Sequence, residues 1–478
     1  AKVTDINFGD STNPNWKTVL IGGMRLGGGQ ISVTDNFGSG SETRNFQSSY
    51  FAIDITIPSS PTLLWEFTLS DASLGFTSSY PAVAKVGSKW FVIVGSGPKS
   101  LYAPDYTGAS TQSGKIFILD ARNTGTWTLN STYWIKDTGV INGFMGDPLA
   151  VDIDFKNINT VSGDTITTSY NSEVVYIGMN YGTSPNWKGK LFRLVLNGDV
   201  NPANWNLYTL FDGNAFTTAT PITISTVATK DELDNLWVYF GTGRFYSSND
   251  KTTTTAHTFI GIRDSYWDGS QWKPCWDGTS WSTNTQCTTS SITATSSLYN
   301  SGDVTSVTEG GSSGTVVNSA TYGSNVPWND FVQAVSTNST YRGWYANLSA
   351  GSGDTGAERV ITKPTVIGGN VLFTTFIPNS DVCSYGGTSS LYSLYYKTGT
   401  AYKESTLETP TEAELQAGHT VAKSKSLGYG MASSPAVHIG QQEGGKATVF
   451  IQDSTGRINT IEYQLSLPKS GVISWKEL

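Results

Sequence analysis

The chain has 478 residues, only 14% of them charged, with a formal net charge of −8 and a pI near 5.0. That balance argues against a nucleic-acid partner, which demands basic patches. No apolar run approaches the roughly 20 residues of a membrane-spanning helix.

Ala1 to Trp16 is polar and reads as a terminal strap; its start, AKVTD, is not a signal peptide, so a leader has been cleaved or the chain is part of something longer. Thr18 to Gly22 is an apolar strand. Gly23 to Ser48 interrupts it with Gly-rich turns; no helix pattern follows, which excludes a phosphate cradle. Tyr50 to Asp54 and Leu63 to Phe67 complete this first group. A four-part order then sets in: a Pro-led strand, an apolar strand often ending in Gly, a polar loop, and a strand often ending in Asp. It runs Pro81–Ala84, Trp90–Gly95, the loop Ser96–Gly114, and Lys115–Asp120. It returns as Pro148–Val151, Val174–Gly178 and Lys190–Leu194, with the polar stretch Asn157–Ser172 inside. A further copy is Pro221–Ile224, Trp237–Gly241, the short loop Ser247–Thr255, and His257–Ile262.

Residues 265–341 form the largest insertion, rich in Trp and Ser. The order resumes with Pro364–Val366, Val371–Thr375 and Leu391–Leu394. Thr409 to Gly418 reads as a helix, with Thr409 as cap, Pro410 in the first turn and Glu412 completing a capping box. The last copy, Pro435–Ile439, Thr448–Ile451 and Ile458–Tyr463, folds about the turn Asp453–Gly456. The period is roughly 60–85 residues, against about 40–50 for a bare propeller blade, and the excess sits in polar loops. A sandwich does not usually repeat a four-part unit this often. The expectation is an all-β fold, a modified β-propeller in one domain spanning residues 1–478, with six legible repeats. Seven blades are expected, because the gap from Phe240 to Leu372 has room for another. Leu20, Val92, Tyr176, Tyr239, Phe373 and Phe450 should then lie on equivalent strands.

Three cysteines occur. Cys275 and Cys287 are close in one Trp-rich segment and are expected to pair, which suits an oxidising compartment. Spacing alone leaves open three free thiols, or a bridge to Cys383. In the same segment Trp267–Trp272 is echoed by Trp276–Trp281, each around an Asp-Gly turn. The pair reads as a self-packed β excursion or as an adhesive aromatic surface. His257, His419 and His438 are the only histidines, and no Gly-x-Ser-x-Gly elbow stands on a strand-to-helix turn. The chain also lacks the adjacent Cys-Cys pair that propeller-type calcium quinoproteins usually carry. No enzyme activity is expected.

Several stretches are similar to hallmarks of one family. They are WVYFGTGRFYSSND (237–250) with HTFIGIRD (257–264), and Glu358-Arg359-Val360-Ile361-Thr362 with Pro364, followed by VLFTTFIPNSDVC and Gly386-Gly387. They also include LGYGMASSPAV (427–437), the ending ISWKEL, and the opening WKTVLIGGMRLGGGQ with FAID and LLWEF. In this order, and over nearly the whole chain, they resemble the PilC/PilY family of type IV pilus biogenesis factors and tip adhesins. The resemblance implies a modified, usually seven-bladed propeller without enzyme chemistry. It implies an extracellular protein at the cell surface or pilus tip, reached through the periplasm. The implied partners are minor pilins or other pilus-tip proteins, a host or abiotic surface, and an N-terminal domain of the same protein if cleaved. Full-length members usually carry an N-terminal region, often with a von Willebrand A-like domain. Here Asp71-Ala72-Ser73 runs on into Leu74-Gly75 without the Asp-x-Ser-x-Ser metal site, so the likeness is to the C-terminal domain.

The resemblance also implies a calcium loop. Asp152 and Asp154 match its first two ligands and Glu173 its closing acid, with Asn157 and Asn159, or Asp164, as substitutes. A hard cation prefers such oxygens. Lys156 occupies the third alternating position and the usual Gly is missing, so the competing expectation is an Asp pair neutralised by Lys156 without metal. The alternative to a pilus protein is a secreted propeller enzyme or lectin, quinoprotein-like or glycan-binding, that acts on a small ligand. An axial pocket lined by acids and histidine would favour it.

Overall fold

Alternation of apolar and polar residues with period two makes strands, and the computed structural model of the chain is all-β, with 49% of residues in strands and 8% in helices. It describes all residues except 28–30, 39, 72, 100–107, 154–170, 233–234, 265, 268–271, 274–290, 313, 381–385, 440–445 and 465–478.

Seven sheets of three to five strands follow one another along the chain, each a meander apart from two borrowed strands. The first contains Lys2–Asn7, Trp16–Gly23, Tyr50–Asp54 and Thr62–Phe67. The second contains Ala82–Val86, Lys89–Gly95, Lys115–Asp120 and Tyr133–Asp137; the third, Gly143–Val151, Val174–Thr183, Asn186–Val195 and Asn206–Asp212. The fourth runs Val227–Lys230, Leu236–Gly241, Thr258–Asp264 and Gly343–Asn347, with the short parallel strand Tyr299–Asn300 at its edge. The sixth contains Thr365–Ile367, Asn370–Pro378, Gly387–Tyr395 and Ser424–Tyr429, and the seventh Ala436–Ile439, Lys446–Gln452 and Ile458–Gln464. Leu20, Val92, Tyr176, Tyr239, Phe373 and Phe450 all fall on the second strand of their sheets, as the repeat predicts.

The fifth sheet comes from the 265–341 insertion. Val304–Glu309, Val316–Ser319 and Gly323–Pro327 form a meander, and the distant pair His419–Thr420 adds the fourth strand. The chain then enters a helix, Trp328–Thr337, that the repeat gave no sign of; it buries Trp328, Phe331 and Val335, one stripe at helical spacing.

Each sheet buries one face against the next. Separate apolar clusters join the first sheet to the second, the second to the third, the third to the fourth, and the sixth to the seventh. The fourth sheet packs directly on the sixth: the rings of Phe259 and Phe373 stack 3.8 Å apart, 6° from parallel. The fifth sheet and its helix join that same cluster from outside through Val307, Val317 and Phe331. Among the described residues no buried cluster joins the seventh sheet to the first. Their outward faces carry Val3 and Leu63 on one side and Phe450 and Ile458 on the other, each 41–66% exposed.

Three local expectations are corrected. Residues 1–16 do not form a polar strap: Lys2, Thr4 and Ile6 point inward and Val3 and Asp5 outward, so the alternation makes an edge strand. The stretch 23–48 holds more than turns, because Ile31–Asn36 pairs with Ser41–Phe46 in a hairpin. The helix near residue 412 spans Glu412–Ala417, capped by Thr411 with Glu414 as its box partner. Both Thr-x-x-Glu registers fit the sequence, and the later one forms the box: Glu414 N donates to Thr411 Oγ1 at 3.3 Å and Thr411 N to Glu414 Oε2 at 2.7 Å.

The two central hallmark stretches meet in space. Cβ atoms built on Gly241 and Gly243 would lie 2.3 Å from the Cβ and the carbonyl oxygen of Val360, so both positions demand glycine. Beside them Arg244 Nε donates to Asp250 Oδ1 at 2.7 Å and lies 3.6 Å over the Trp187 ring. Arg359 donates to the carbonyl oxygens of Asp250, Arg244 and Ala357 at 2.6, 3.1 and 2.9 Å. Arg244, Asp250 and Arg359 are all buried. Charge kept from water is held only where paired or hydrogen-bonded, and this knot ties the third, fourth and sixth sheets together.

Candidate functional sites

The first candidate is the strand end predicted to bind calcium. Gly143–Val151 and Val174–Thr183 pair antiparallel, with Val151 opposite Val174. The ladder continues past the strand: Glu173 N donates to Val151 O at 3.0 Å. The buried Glu173 side chain turns back, and its Oε2 accepts from Ile153 N at 2.6 Å. Asp152 and Glu173 thus belong to one strand end. Asp154, Asn157, Asn159, Asp164 and Lys156 lie outside the described residues, and no set of three metal-ligating acids, cysteines or histidines occurs among the described ones. The donors fit a hard cation in chemistry, since every expected ligand offers oxygen. Asp152, Asp154, Asn157, Asn159 and Glu173 would hold calcium, whose role would be to tie the loop down.

Next to this strand end stands a buried triad that sequence reasoning missed. Arg193 pairs with Asp264, whose other oxygen accepts from Tyr176 OH at 2.7 Å. Desolvation, and then the Asp264 charge, raise the Tyr176 phenol well above its ordinary range, so it stays a donor.

The second candidate lies where the sheets converge. A cavity of about 630 Å³ receives one wall from each of six sheets, in chain order Arg25, Tyr80, Asp147, Ser225, Lys363 and Ser434. Among the described residues nothing in its lining comes from the fifth sheet, which therefore stands outside this convergence. Asp147 Oδ1 accepts from Tyr80 N at 2.7 Å. Burial pushes the Asp147 carboxyl up to about 6, although Tyr80 N and the nearby Arg25 and Lys363 all pull the other way. Neither Arg25 nor Lys363 stood out in the sequence, because the cavity joins residues more than 300 positions apart.

The histidines are scattered. His257 is buried and held neutral: desolvation, then the Arg359 charge, lower it to about 3. His419 bonds Glu408 at 2.9 Å, and His438 is exposed on the seventh sheet. None lines the cavity, so the acid-and-histidine pocket expected of the enzyme reading is not what the axis presents. In the Trp-rich segment the backbone of Trp267 pairs antiparallel with that of Trp272, and the first Asp-Gly turn between them lies outside the described residues. The second Asp-Gly turn, Cys275, Cys287 and Cys383 lie outside the described residues.

No family model matches the chain. Curated relatives do. A type IV pilus biogenesis factor PilY1 homolog of Xylella fastidiosa is 24% identical over 395 residues, covering 81% of this chain and 24% of that protein. The type IV pilus biogenesis factor PilY1 of Pseudomonas aeruginosa is 26% identical over 398 residues, covering 80% of this chain and 30% of that protein. The chain therefore spans between about a quarter and a third of the length of these relatives. Among solved structures, the Pseudomonas aeruginosa PilY1 C-terminal domain superposes over 97% of this chain and 82% of its own, with a TM-score of 0.59 and 18% identity. The chain's homologues over about 80% of its length are PilY1 type IV pilus biogenesis factors, and its fold is the β-propeller of the PilY1 C-terminal domain.

Proposed function

We propose that this chain is the propeller portion of a type IV pilus biogenesis factor, acting without enzyme chemistry at the pilus tip. Its role is to bind minor pilins or other tip proteins and to present loops to host or abiotic surfaces, outside the cell. The observation that carries this reading is the match to PilY1 factors over about 80% of the chain, on the same fold. The placement of the inserted segments supports it. The hairpin Ile31–Phe46 is exposed along nearly its whole length, and the fifth sheet stands outside the convergence of the other six. Such additions offer surface without disturbing the packed sheets.

The test is chemical cross-linking of native filaments, followed by identification of whatever is joined to this chain. Minor pilins are expected among the products. Filaments that carry the chain with cross-links to the major subunit alone, or cells that assemble and retract pili normally without it, would overturn the reading.

A further inference from the structure

Among the described residues the first, second, third and sixth sheets have four strands each, and the seventh has three. In each of the four, the last strand in sequence pairs with the edge of the third. The seventh sheet ends on the edge strand Ile458–Gln464, and residues 465–478 follow it in the chain. The first strand of the chain does not make up the difference, because Lys2–Asn7 is paired with Trp16–Gly23 in the first sheet.

The fourth strands share a feature. In the first, second and fourth sheets this strand carries a buried tryptophan: Trp65, Trp134 and Trp344. Each lies in the apolar cluster shared with the next sheet of the ring. Trp65 Nε1 donates to Ala121 O at 2.9 Å and Trp344 Nε1 to Tyr396 O at 2.7 Å. Both acceptors are the first residue past the third strand of that next sheet. The sixth sheet uses Leu427 instead, and the third sheet's Trp205, one residue before its fourth strand, packs back on the second. Val472-Ile473-Ser474-Trp475-Lys476-Glu477-Leu478 has the make-up of Thr62-Leu63-Leu64-Trp65-Glu66-Phe67. The connection Leu465–Gly471, with Pro468 and Gly471, is as long as Ile55–Pro61 in the first sheet.

We propose that residues 472–478 are the fourth strand of the seventh sheet and that Trp475 closes the ring against the first. The strand pairs antiparallel along Ile458–Gln464, and its alternation sets Ile473 and Trp475 on one face. The surface that receives them is on the first sheet, where Val3, Leu20, Ile53 and Leu63 stand opposite one another across its four strands as an unbroken apolar row. The two ends of that row, Val3 and Leu63, are exposed, as are Phe450 and Ile458 on the seventh sheet. A contiguous exposed apolar surface marks a contact. By the relation seen for Trp65 and Trp344, Trp475 Nε1 donates to Ile55 O, the first carbonyl past Tyr50–Asp54.

The inference rests on the sheets and their tryptophans and is independent of the pilus reading. Hydrogen exchange of the 478-residue chain, read by mass spectrometry, tests it. Amides of 472–478 should exchange roughly a hundredfold more slowly than in the isolated peptide. Trp475→Ala should return them to within about tenfold of the peptide rates and lower the melting temperature. Lys476→Ala, on the opposite face, should do neither. Trp475→Ala and Leu63→Ser should be strongly non-additive in thermal melts, as substitutions of touching residues are. Peptide-like exchange throughout 472–478 in the parent chain overturns the proposal, and so do additive effects of the two substitutions. A dimer in sedimentation that reverts to monomer in Trp475→Ala also overturns it, because the strand would then sit in a second copy.

Discussion

At the scale of single residues, the molecule depends on charges it has hidden. Arg359 has no carboxylate of its own; its guanidinium is spread over backbone carbonyls, and burial lowers its pKa to about 10, with Asp250 opposing and Arg244 adding to that shift. A lysine carries a point charge on a flexible stem and cannot reproduce the planar fork. Arg359→Leu strands several carbonyls, and removing one member of such a buried ionic group costs about 3–5 kcal/mol. Urea denaturation should show that loss for Arg359→Leu and a smaller one for Arg359→Lys; a change under 1 kcal/mol in the leucine variant would refute the role of the knot. His257 makes a second, pH-dependent prediction. The unfolded chain takes up its proton near the ordinary histidine pKa of about 6.5, whereas the folded one resists until about 3. Stability is therefore lost as pH falls through that window, by about 2 kcal/mol between pH 6.5 and 4.5. Asp147 acts oppositely: the fold holds its proton up to about 6, so its contribution weakens as pH rises from about 4 to 6. His257→Asn should flatten the acid side of the stability profile measured by thermal melting at several pH values. An unchanged acid slope would mean that other groups carry it.

At the scale of elements, some of the fold could be read directly and some could not, for identifiable reasons. The six repeats were legible because each second strand is an apolar run closed by Gly or a polar turn, as in Trp90–Gly95 or Leu236–Gly241. The fifth sheet was not. Its strands, such as Val304–Glu309, are half polar, and its last strand arrives from His419–Thr420, about a hundred residues later. Glu173 could be placed because strand pairing brings it locally to Val151, whereas the axial cavity exists only once six sheets converge. The two arginines of the buried knot sat inside recognisable stretches, but nothing in those stretches announces that Gly243 must touch Val360. The hairpin Ile31–Phe46 shows the opposite case, an element present but detached. Among the described residues it pairs with no other strand, and its own contacts are surface ones, such as Arg44 lying 4.4 Å over the Phe37 ring. A lone two-stranded hairpin is marginally stable, so it draws its order from the sheet that carries it and returns little. Replacing residues 31–46 with a short Gly-Ser loop should leave global stability within about 1 kcal/mol, since loop-closure entropy changes slowly with length. Thermal and urea melts check this; a larger loss would show that the hairpin braces the first sheet.

At the scale of the whole molecule, the third sheet is the place where a small ligand would have the widest effect. It packs against the second sheet on one face and the fourth on the other, so whatever tightens it bears on two clusters at once. The Asp152–Glu173 strand end is such a place. If Asp152, Asp154 and Glu173 share calcium, several carboxylates crowd one loop and their repulsion is relieved only while the cation is bound. A ligand that binds the folded state alone stabilises it by about 2.7 kcal/mol at a hundredfold excess over its dissociation constant. Melting temperature should therefore rise with millimolar calcium and fall back on adding chelator, and Asp152→Ala should abolish the increment. The competing account has Lys156 neutralising the aspartates. Under it the melting temperature ignores calcium, while Lys156→Met destabilises the chain whether or not metal is present. The two single variants, each melted with calcium and with chelator, separate these outcomes. An increment that persists in Asp152→Ala would move the cation elsewhere and end the case for this loop.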